Sequence, residues 1–168
     1  MKIEFLDVKI KKERKKNISY HFKCDPFYFD GDRIAFNSEV NVEGTLTYDE
    51  SIIIMDVNIK TELVLVCSRC LETFTYPIDI DIEERFTNIK NINNDDVIFV
   101  ENDSIDLTEV VENAIISTLP IKKVCSESCK GLCPTCGVNL NKETCNCNND
   151  DIDLRFMDLK ALLSNKEV

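Results

Sequence analysis

The sequence contains little histidine, glycine and proline, and it has no long hydrophobic run. It has one histidine, four glycines and four prolines in 168 residues. The low glycine and proline counts argue against a disordered linker or a repeat array. Apolar runs such as 51–57 are far shorter than the roughly 20 residues that a membrane-spanning helix needs. Residues 1–16 contain no apolar export segment, so we expect a cytoplasmic protein without a membrane span.

Cysteine, in contrast, is abundant and grouped. Eight of the nine cysteines form four close pairs, which are Cys67/Cys70, Cys125/Cys129, Cys133/Cys136 and Cys145/Cys147. Thiolates at such short spacing suit zinc, a closed-shell ion that accepts tetrahedral sulfur ligands. Disulfides are the competing use of these thiols, but they persist mainly in oxidising compartments. We predict that the eight residues bind one or two Zn²⁺ ions, and the sequence favours two.

The last two pairs predict one metal site. In Cys133-Pro-Thr-Cys136-Gly137 the proline restricts the backbone, and the glycine permits a positive φ just after the second ligand. This is the sequence of a zinc knuckle, and Cys145 and Cys147 are the natural closing pair. Residues in Cys-x-Cys point to opposite faces of an extended strand, however, so in that conformation the two thiols could serve different ions.

The first two pairs predict a second site that joins distant parts of the chain. Cys125 and Cys129 are left to bind the same ion as Cys67 and Cys70, which would couple metal binding to folding. A redox dithiol is the alternative for Cys67 and Cys70. Such a pair sits at a helix N-terminus, whereas the sequence that follows here has a β pattern. The ninth cysteine, Cys24, is expected to be a small buried hydrophobic residue.

The residues offer little for catalysis. The single histidine, His21, has no evident nucleophile partner, and such a residue is more often structural than catalytic. Acidic residues alternate along 79–83, which fits a solvated sheet face better than a carboxylate pair. Metal sites closed by four thiolates leave no position for an activated water. We therefore expect a protein that is not an enzyme and has no small-molecule substrate.

Outside the cysteines, the chain has the pattern of a sheet with few helices. Apolar and polar residues alternate between 33 and 86, which is typical of antiparallel strands with one buried face. Asp106 is the predicted start of a helix, with Glu109 at the capping-box position, and Pro120 marks its end. We predict an α+β fold that is mainly antiparallel β-sheet, with two or so helices and a cysteine-rich zinc segment. Whether the sheet is barrel-like is left open.

These elements predict one domain over residues 1–168, a length that can bury a real core. In order, it contains a β-rich part, an acidic loop, a helix, a cysteine-rich metal-binding segment and a C-terminal helix docked on the same core. The corresponding ranges are 1–87, 88–104, 105–119, 120–150 and 151–165. The last helix is indicated by the helical spacing of Phe156, Leu159 and Leu163.

The charge of the chain is unevenly distributed. The formal net charge is −11, but residues 1–23 carry eight Lys and Arg against three Asp and Glu. Phosphate is repelled by most of such a chain. A nucleic-acid contact would therefore have to use the basic N-terminal stretch, the cysteine-rich segment or an intermediary protein.

Several motifs occur in the order that is found in one known family. They are Cys67-Ser-Arg-Cys70-Leu71-Glu72, Leu119-Pro120, Cys129-Lys-Gly-Leu-Cys133-Pro-Thr-Cys136-Gly-Val-Asn-Leu140-Asn141 and Arg155-Phe156. The chain resembles the YceD family from about residue 40 to residue 163. It departs from the family's pattern at Val124 and Leu154, where proline is expected, and these changes affect turn rigidity and not the ligands. The resemblance implies a bacterial factor associated with accumulation of large-subunit ribosomal RNA.

Residues and resemblance together predict a non-enzymatic zinc-binding factor that supports 23S rRNA accumulation and large-subunit assembly by contact. Contact with rRNA or a pre-ribosomal particle would use the basic residues Lys11, Lys12, Arg14, Lys15 and Lys16. Tyr20 and Phe22 lie close by in the sequence and would stack on bases. A solvated charged arm is the simpler interpretation of the basic residues. Residues 79–109, with ten Asp and Glu against two Lys and Arg, could instead bind a basic ribosomal protein. A redox-regulated zinc chaperone is the alternative function, and an oligomerisation module is a third.

Overall fold

The structure is a computed structural model, and it describes residues 2–4, 15–49, 52–89, 96–101 and 104–147. These residues divide into two compact units. The first unit contains the described residues up to 67 together with those of 72–125, and the second contains 68–71 together with 126–147. The predicted single domain and its helix at 151–165 stay predictions, because residues 148–168 lie outside the described ranges.

Most of the first unit is β-sheet. Its strands, in chain order, are β1 (Lys2–Glu4), β2 (Lys15–Phe22), β3 (Phe27–Phe29), β4 (Asp32–Phe36), β5 (Val40–Asp49), β6 (Ile52–Val66), β7 (Thr73–Thr87), β8 (Ile98–Phe99) and β9 (Ser104–Asp106). β1 and β9 form a small antiparallel sheet, and the other seven strands form the main sheet. Among the described strands only β8 pairs in parallel, with the end of β7, so the prediction of a mainly antiparallel sheet is confirmed.

β6 is the centre of the main sheet, because it has partners along both of its edges. β7 pairs with one edge over the full length of β6. β5 pairs with the other edge at residues 52–60, and β4 pairs with that same edge at residues 63–64. β2 then pairs with β5, and β3 with β4. Within the described residues the sheet is open, so the barrel-like closure that the sequence left open is absent.

One face of the sheet forms the core of the first unit. Alternate residues of β6 from Ile53 to Leu65 are buried, and β7 adds Ile78 and Phe86 to the same face. Burial of one such large apolar side chain stabilises a fold by about 1.5–3 kcal/mol. The alternating sequence pattern therefore produces a sheet with one apolar face, and burial of this face stabilises the first unit.

The opposite face of the sheet is polar and acidic. Asp79, Asp81 and Glu83 on β7 are exposed, as expected for a solvated face. The Asn58 side chain donates hydrogen bonds of 2.9 Å to Asp79 and to Asp81. The bond from Asn58 is the main reason that the pKa of Asp79 lies below its usual value, and Lys60 adds to this effect at 3.3 Å.

The described residues contain one helix, α1 (Leu107–Thr118). Asp106 is its N-cap, and the carboxylate accepts a 3.0 Å bond from the backbone N–H of Thr108, as the predicted start of this helix requires. The apolar face is buried through Leu107, Val110, Val111 and Ile115. The second predicted helix falls outside the described residues. Among the described residues, no helix combines the length and apolar character needed to cross a membrane.

Part of the predicted acidic loop at 88–104 has regular structure. The structure places β8 at residues 98–99 and the first residue of β9 at 104. Residues 90–95 and 102–103 of this segment lie outside the described ranges. Glu101 lies between these two strands in the sequence and lines the same cavity as Glu109 of α1.

Candidate metal centres

The eight paired cysteines come together as two groups of four thiols. In each group the Sγ atoms lie within 4.8 Å of one another. The first thiol group contains Cys67, Cys70, Cys125 and Cys129, and the second thiol group contains Cys133, Cys136, Cys145 and Cys147. This grouping is the one predicted from the sequence, and it places Cys145 and Cys147 at the same centre. All nine cysteines are free thiols.

Each thiol group fits a tetrahedral zinc ion. Four sulfur ligands at about 2.3 Å from zinc lie about 3.8 Å from one another, which is within the observed spread. Neither group includes a histidine or carboxylate ligand. Soft thiolate sets favour zinc over hard ions such as Mg²⁺ and Ca²⁺. A zinc ion held by four thiolates would supply a structural cross-link, because its coordination is complete without water.

The segment Cys67-Ser-Arg-Cys70, here called the first knuckle, forms the connection between β6 and β7. The backbone N–H of Cys67 donates to the carbonyl oxygen of Glu72 at 2.8 Å. Leu71, directly after the second ligand, has a φ of +60°. The backbone N–H of Cys125 donates to the Sγ atom of Cys67 at 3.4 Å. The hairpin therefore ends in a turn that directs its thiols toward one point.

The second knuckle, Cys133-Pro-Thr-Cys136, has the same backbone pattern. The backbone N–H of Cys133 donates to the carbonyl oxygen of Val138 at 2.8 Å, again a donor and acceptor five residues apart. Gly137 follows the second ligand with a φ of +75°, as its role in the predicted knuckle requires. Two copies of one turn therefore supply half of the ligands of each thiol group.

The thiols of the second thiol group influence the ionisation of one another. The backbone N–H groups of Cys136 and Thr135 donate to the Cys133 sulfur and lower its pKa to about 6. The hydrogen bond with Cys136, followed by burial, raises the pKa of Cys147 to about 12. One thiol therefore ionises easily, and its charge opposes ionisation of its neighbours. The neighbouring thiols therefore keep their protons, and a metal ion must displace these protons when it binds.

Two polar residues that the sequence analysis did not assign position Cys129. The guanidinium of Arg69 donates to the Cys129 carbonyl oxygen at 2.9 Å. The Asn141 amide donates to the Cys129 sulfur at 3.3 Å, and its oxygen accepts from the Lys130 backbone N–H at 2.8 Å. Such partners orient metal ligands and affect metal affinity. Their only signal in the sequence is their position inside or beside the cysteine motifs.

Gly131 allows a close backbone contact with Arg69 inside the second unit. Its φ is +76°, and a Cβ atom at this position would lie 3.0 Å from the carbonyl oxygen of Arg69. That same oxygen accepts a bond of 3.1 Å from the backbone N–H of Leu132. Any side chain here would be strained and crowded, so glycine is required for this contact.

The structure describes two of the five candidate RNA-binding residues. Lys11, Lys12 and Arg14 lie outside the described residues, whereas Lys15 and Lys16 belong to β2. Lys15 is exposed and Lys16 half-buried, and as neighbours they face opposite sides of the strand.

The two aromatic residues suggested for base stacking lie on the inner face of the sheet. Tyr20 and Phe22 are half-buried and pack against the core, on the same face as the buried residue Ile18. Their rings are therefore engaged by protein contacts and do not form a free stacking surface.

Cys24 and His21 are the remaining residues considered in the sequence, and both have contacts within the protein. Cys24 is half-buried against the core, and burial raises the pKa of its thiol to about 11, in agreement with a hydrophobic role. His21 is exposed on β2, and its Nδ1 lies 2.5 Å from the side-chain oxygen of Asn41. In the described residues neither belongs to a metal-ligand group.

The sequence pattern of one family, described as Large ribosomal RNA subunit accumulation protein YceD, matches residues 55–163. The chain belongs to the YceD family. The matched range contains both thiol groups, so the resemblance inferred from the cysteine motifs is confirmed.

Similar proteins occur in bacteria and in a plant. The uncharacterized protein YlbN of Bacillus subtilis is 33% identical over 129 residues, which are 75% of each chain. An uncharacterized protein of Mycobacterium tuberculosis is 31% identical over 102 residues, 58% of this chain and 49% of its own length. This chain therefore spans about half of the mycobacterial relative.

The plant relative of this YceD-family chain is a chloroplast protein. It is the Large ribosomal RNA subunit accumulation protein YCED homolog 1 of Arabidopsis thaliana, which is 35% identical over 49 residues. These residues are 29% of this chain and 15% of the plant protein. No solved structure matches the chain.

Proposed function

We propose that this chain is a non-enzymatic, zinc-stabilised factor that supports accumulation of 23S rRNA and assembly of the large ribosomal subunit in the bacterial cytoplasm. The family match carries the proposal, because it extends over both thiol groups and most of β6 and β7. The family and the plant relative are both described by large-subunit rRNA accumulation.

In this proposal zinc has a structural role. Each thiol group provides four ligands, so a bound zinc ion would have no open position for substrate or water. The chain's own residues would fix the shape of the cysteine-rich segment, with Arg69 and Asn141 orienting Cys129. Zinc would thus stabilise a contact surface and take no part in a chemical step.

We further propose that the contact is made with a basic protein of the pre-ribosomal particle. On β6 and β7 the polar face of the main sheet presents more acidic residues than basic ones, and the acids are Asp56, Glu62, Asp79, Asp81 and Glu83. Lys60 and Arg85 are the basic residues of β6 and β7 on this face. Such a surface repels phosphate and attracts a basic protein.

Deletion of the gene in its source bacterium tests the function. We expect a lower ratio of 23S to 16S rRNA and a smaller 50S peak in a sucrose gradient. The wild-type chain should restore both when supplied again, and Cys24→Ser should restore them equally because it leaves both thiol groups intact. The double variant Cys67→Ser/Cys70→Ser should not. An unchanged rRNA ratio after deletion would reject the function, and full rescue by the double variant would reject the zinc requirement.

The redox-regulated chaperone makes a different prediction about the same thiols. Cys136 is an exposed member of the second thiol group, so an oxidant can reach it. The chaperone requires zinc release together with new holdase activity after mild peroxide. Loss of ribosomal co-sedimentation alone would favour the assembly factor.

A further inference from the structure

A cavity of about 350 Å³ lies in the first unit, where the ends of β7, β8, β9 and α1 meet. Its floor is apolar and buried, with Phe86, Ile105 and Val110 all at most 9% exposed. Its open side has Ile98 and Phe99, which are 47% and 40% exposed. A concave apolar site with large apolar side chains at its mouth is typical of a binding surface.

The rim of this cavity is acidic. Glu84, Glu101 and Glu109 line it, together with the N-cap Asp106, and Lys2 is the one basic residue in the lining. Glu84 is especially informative because it lies on the core-side face of β7, where the alternating residues Ile78 to Phe86 are otherwise apolar. An acid at an apolar position of the pattern is a sign of function at the expense of packing.

The acidic character continues into a second cavity. Glu84 and Ile98 line both cavities, and the second adds Glu83, Arg85 and Asp96. The two cavities therefore adjoin at Glu84 and Ile98, with the apolar floor in the first and acidic residues around both. The two together are called the β8 groove.

We propose that the β8 groove binds a basic segment of a partner protein, with one apolar side chain in the cavity and neighbouring Lys or Arg side chains at the glutamates. The inference deepens the proposed function, on which it rests for the ribosomal identity of the partner. Charge decides the class of occupant. Phosphate would face six acids and two bases among the described lining residues, so RNA is disfavoured, whereas a basic peptide gains from the excess of acids.

Fluorescence anisotropy with the zinc-loaded full chain tests this binding. The probe is a labelled peptide Arg-Lys-Leu-Arg-Lys, and the matched probe has Ala for its Leu. We expect the chain to bind the Leu peptide more tightly than the Ala peptide, and binding to weaken as salt rises. Labelled poly-uridine RNA serves as the competing class of ligand.

Two triple variants with the same change in charge separate the groove from the general acidity of the chain. Glu84→Gln/Glu101→Gln/Glu109→Gln removes the rim, and Asp25→Asn/Glu39→Gln/Asp49→Asn removes three exposed acids elsewhere in the first unit. Each exposed ion pair contributes about 1.4- to 5-fold in affinity. Three such pairs together contribute about 3- to 100-fold, so we expect the rim variant to bind at least about threefold more weakly, and the control variant to bind nearly as well as wild type.

A third variant tests the apolar part of the groove. Ile98→Ala should abolish the preference for the Leu peptide over the Ala peptide and leave the salt dependence in place. Circular dichroism and zinc content establish that every variant is folded. A preference that survives Ile98→Ala would overturn the apolar anchor.

Several outcomes overturn the proposal as a whole. These are no binding of the Leu peptide by wild type, equal losses in both triple variants, or RNA binding that depends on the rim. Tighter peptide binding after Ala replacement of Lys11, Lys12, Arg14, Lys15 and Lys16 would show instead that the chain's own basic stretch occupies the groove. Peptide binding without an rRNA defect on gene deletion would reject the proposed function alone, and the reverse result would reject the groove alone.

Discussion

The two thiol groups contain the same turn but collect their ligands over very different lengths of chain. In the first thiol group, 55 positions separate Cys70 from Cys125, whereas in the second thiol group 9 positions separate Cys136 from Cys145. The free energy of closing a loop of n residues grows as (3/2)RT ln n. Closing the longer loop therefore costs about 1.6 kcal/mol more than closing the shorter one. A metal ion at the first thiol group would therefore remove more freedom from the unfolded chain.

Burial differs in the same direction. Three of the four cysteines in the first thiol group are buried, compared with one of four in the second. Buried thiolates that lose a metal ion are poorly screened from one another and must bind protons, whereas water solvates and screens exposed thiolates. We therefore expect a metal ion at the first thiol group to affect the stability of the chain more than a metal ion at the second, which would order a local segment.

Removal of a cysteine pair from each group should give the largest difference. Cys67→Ser/Cys70→Ser and Cys145→Ser/Cys147→Ser should each lower the zinc content from two ions to one, as measured by elemental analysis. The free energy of unfolding in urea should fall further for the first variant, by at least about 1.6 kcal/mol, because the longer loop is released. Cys24→Ser should keep both ions. Equal losses of stability would show that ligand spacing does not distinguish the groups.

Replacement of Asn141 should weaken zinc binding at the first thiol group, although the residue lies on the loop of the second thiol group. Asn141→Ala removes the donor to the Cys129 sulfur, and we expect a 10- to 100-fold loss of zinc affinity there, about the size seen for partners of metal ligands. Asn141→Asp should have a larger effect, because a carboxylate repels nearby thiolates. Competition with a chromophoric chelator measures both sites.

Thr144→Ala is the matched control for Asn141, because Thr144 is exposed on the same loop. It should leave both affinities unchanged. If Asn141→Ala weakens both thiol groups equally, the residue acts through the shape of its loop and not through the Cys129 sulfur.

The smallest expected effects are at the residues that follow each Cys-x-x-Cys turn. Leu71 has a positive φ, which disfavours a non-glycine residue by about 1–2 kcal/mol. Its side chain is 65% exposed, so Leu71→Gly should change the free energy of unfolding by less than about 1 kcal/mol, with a gain expected. Gly137→Ala should lose about 1 kcal/mol through the backbone alone, since no atom lies within 4 Å of the added Cβ.

Urea unfolding at saturating zinc measures this last pair. A loss of more than about 1 kcal/mol for Leu71→Gly would mean that the leucine side chain makes a stabilising contact that outweighs its backbone strain.

The sequence predicted well the features that depend on near neighbours. Alternation located the strands, and Asp106 marked the start of α1. The Asp30-Gly31 dipeptide is typical of a tight hairpin turn, and it forms the two-residue loop between β3 and β4 with a positive φ at both residues. The favoured grouping of the thiols followed from local spacing, because the last two pairs form a natural site and leave Cys125 and Cys129 to join Cys67 and Cys70, although an extended Cys145-Asn-Cys147 segment would have allowed another arrangement.

Features that depend on distant contacts were not predictable in this way. The sharing of one β6 edge by β5 and β4 depends on register over some 25 residues, and the contact of Asn141 with Cys129 spans 12 positions. Tyr20 and Phe22 show a different limit. The period of two already places them with the buried Ile18, but the basic residues beside them suggested a nucleic-acid surface instead.

The wide ligand spacing of the first thiol group also sets an order of events during synthesis. Cys70 leaves the ribosome some 55 residues before Cys125, which is about 3–11 s at ~5–20 residues per second. During this interval the nascent hairpin carries two reduced thiols without their partners, whereas the second thiol group emerges almost at once. A chain that stalls before Cys125 would therefore expose an incomplete cage to the metals and oxidants of the cell.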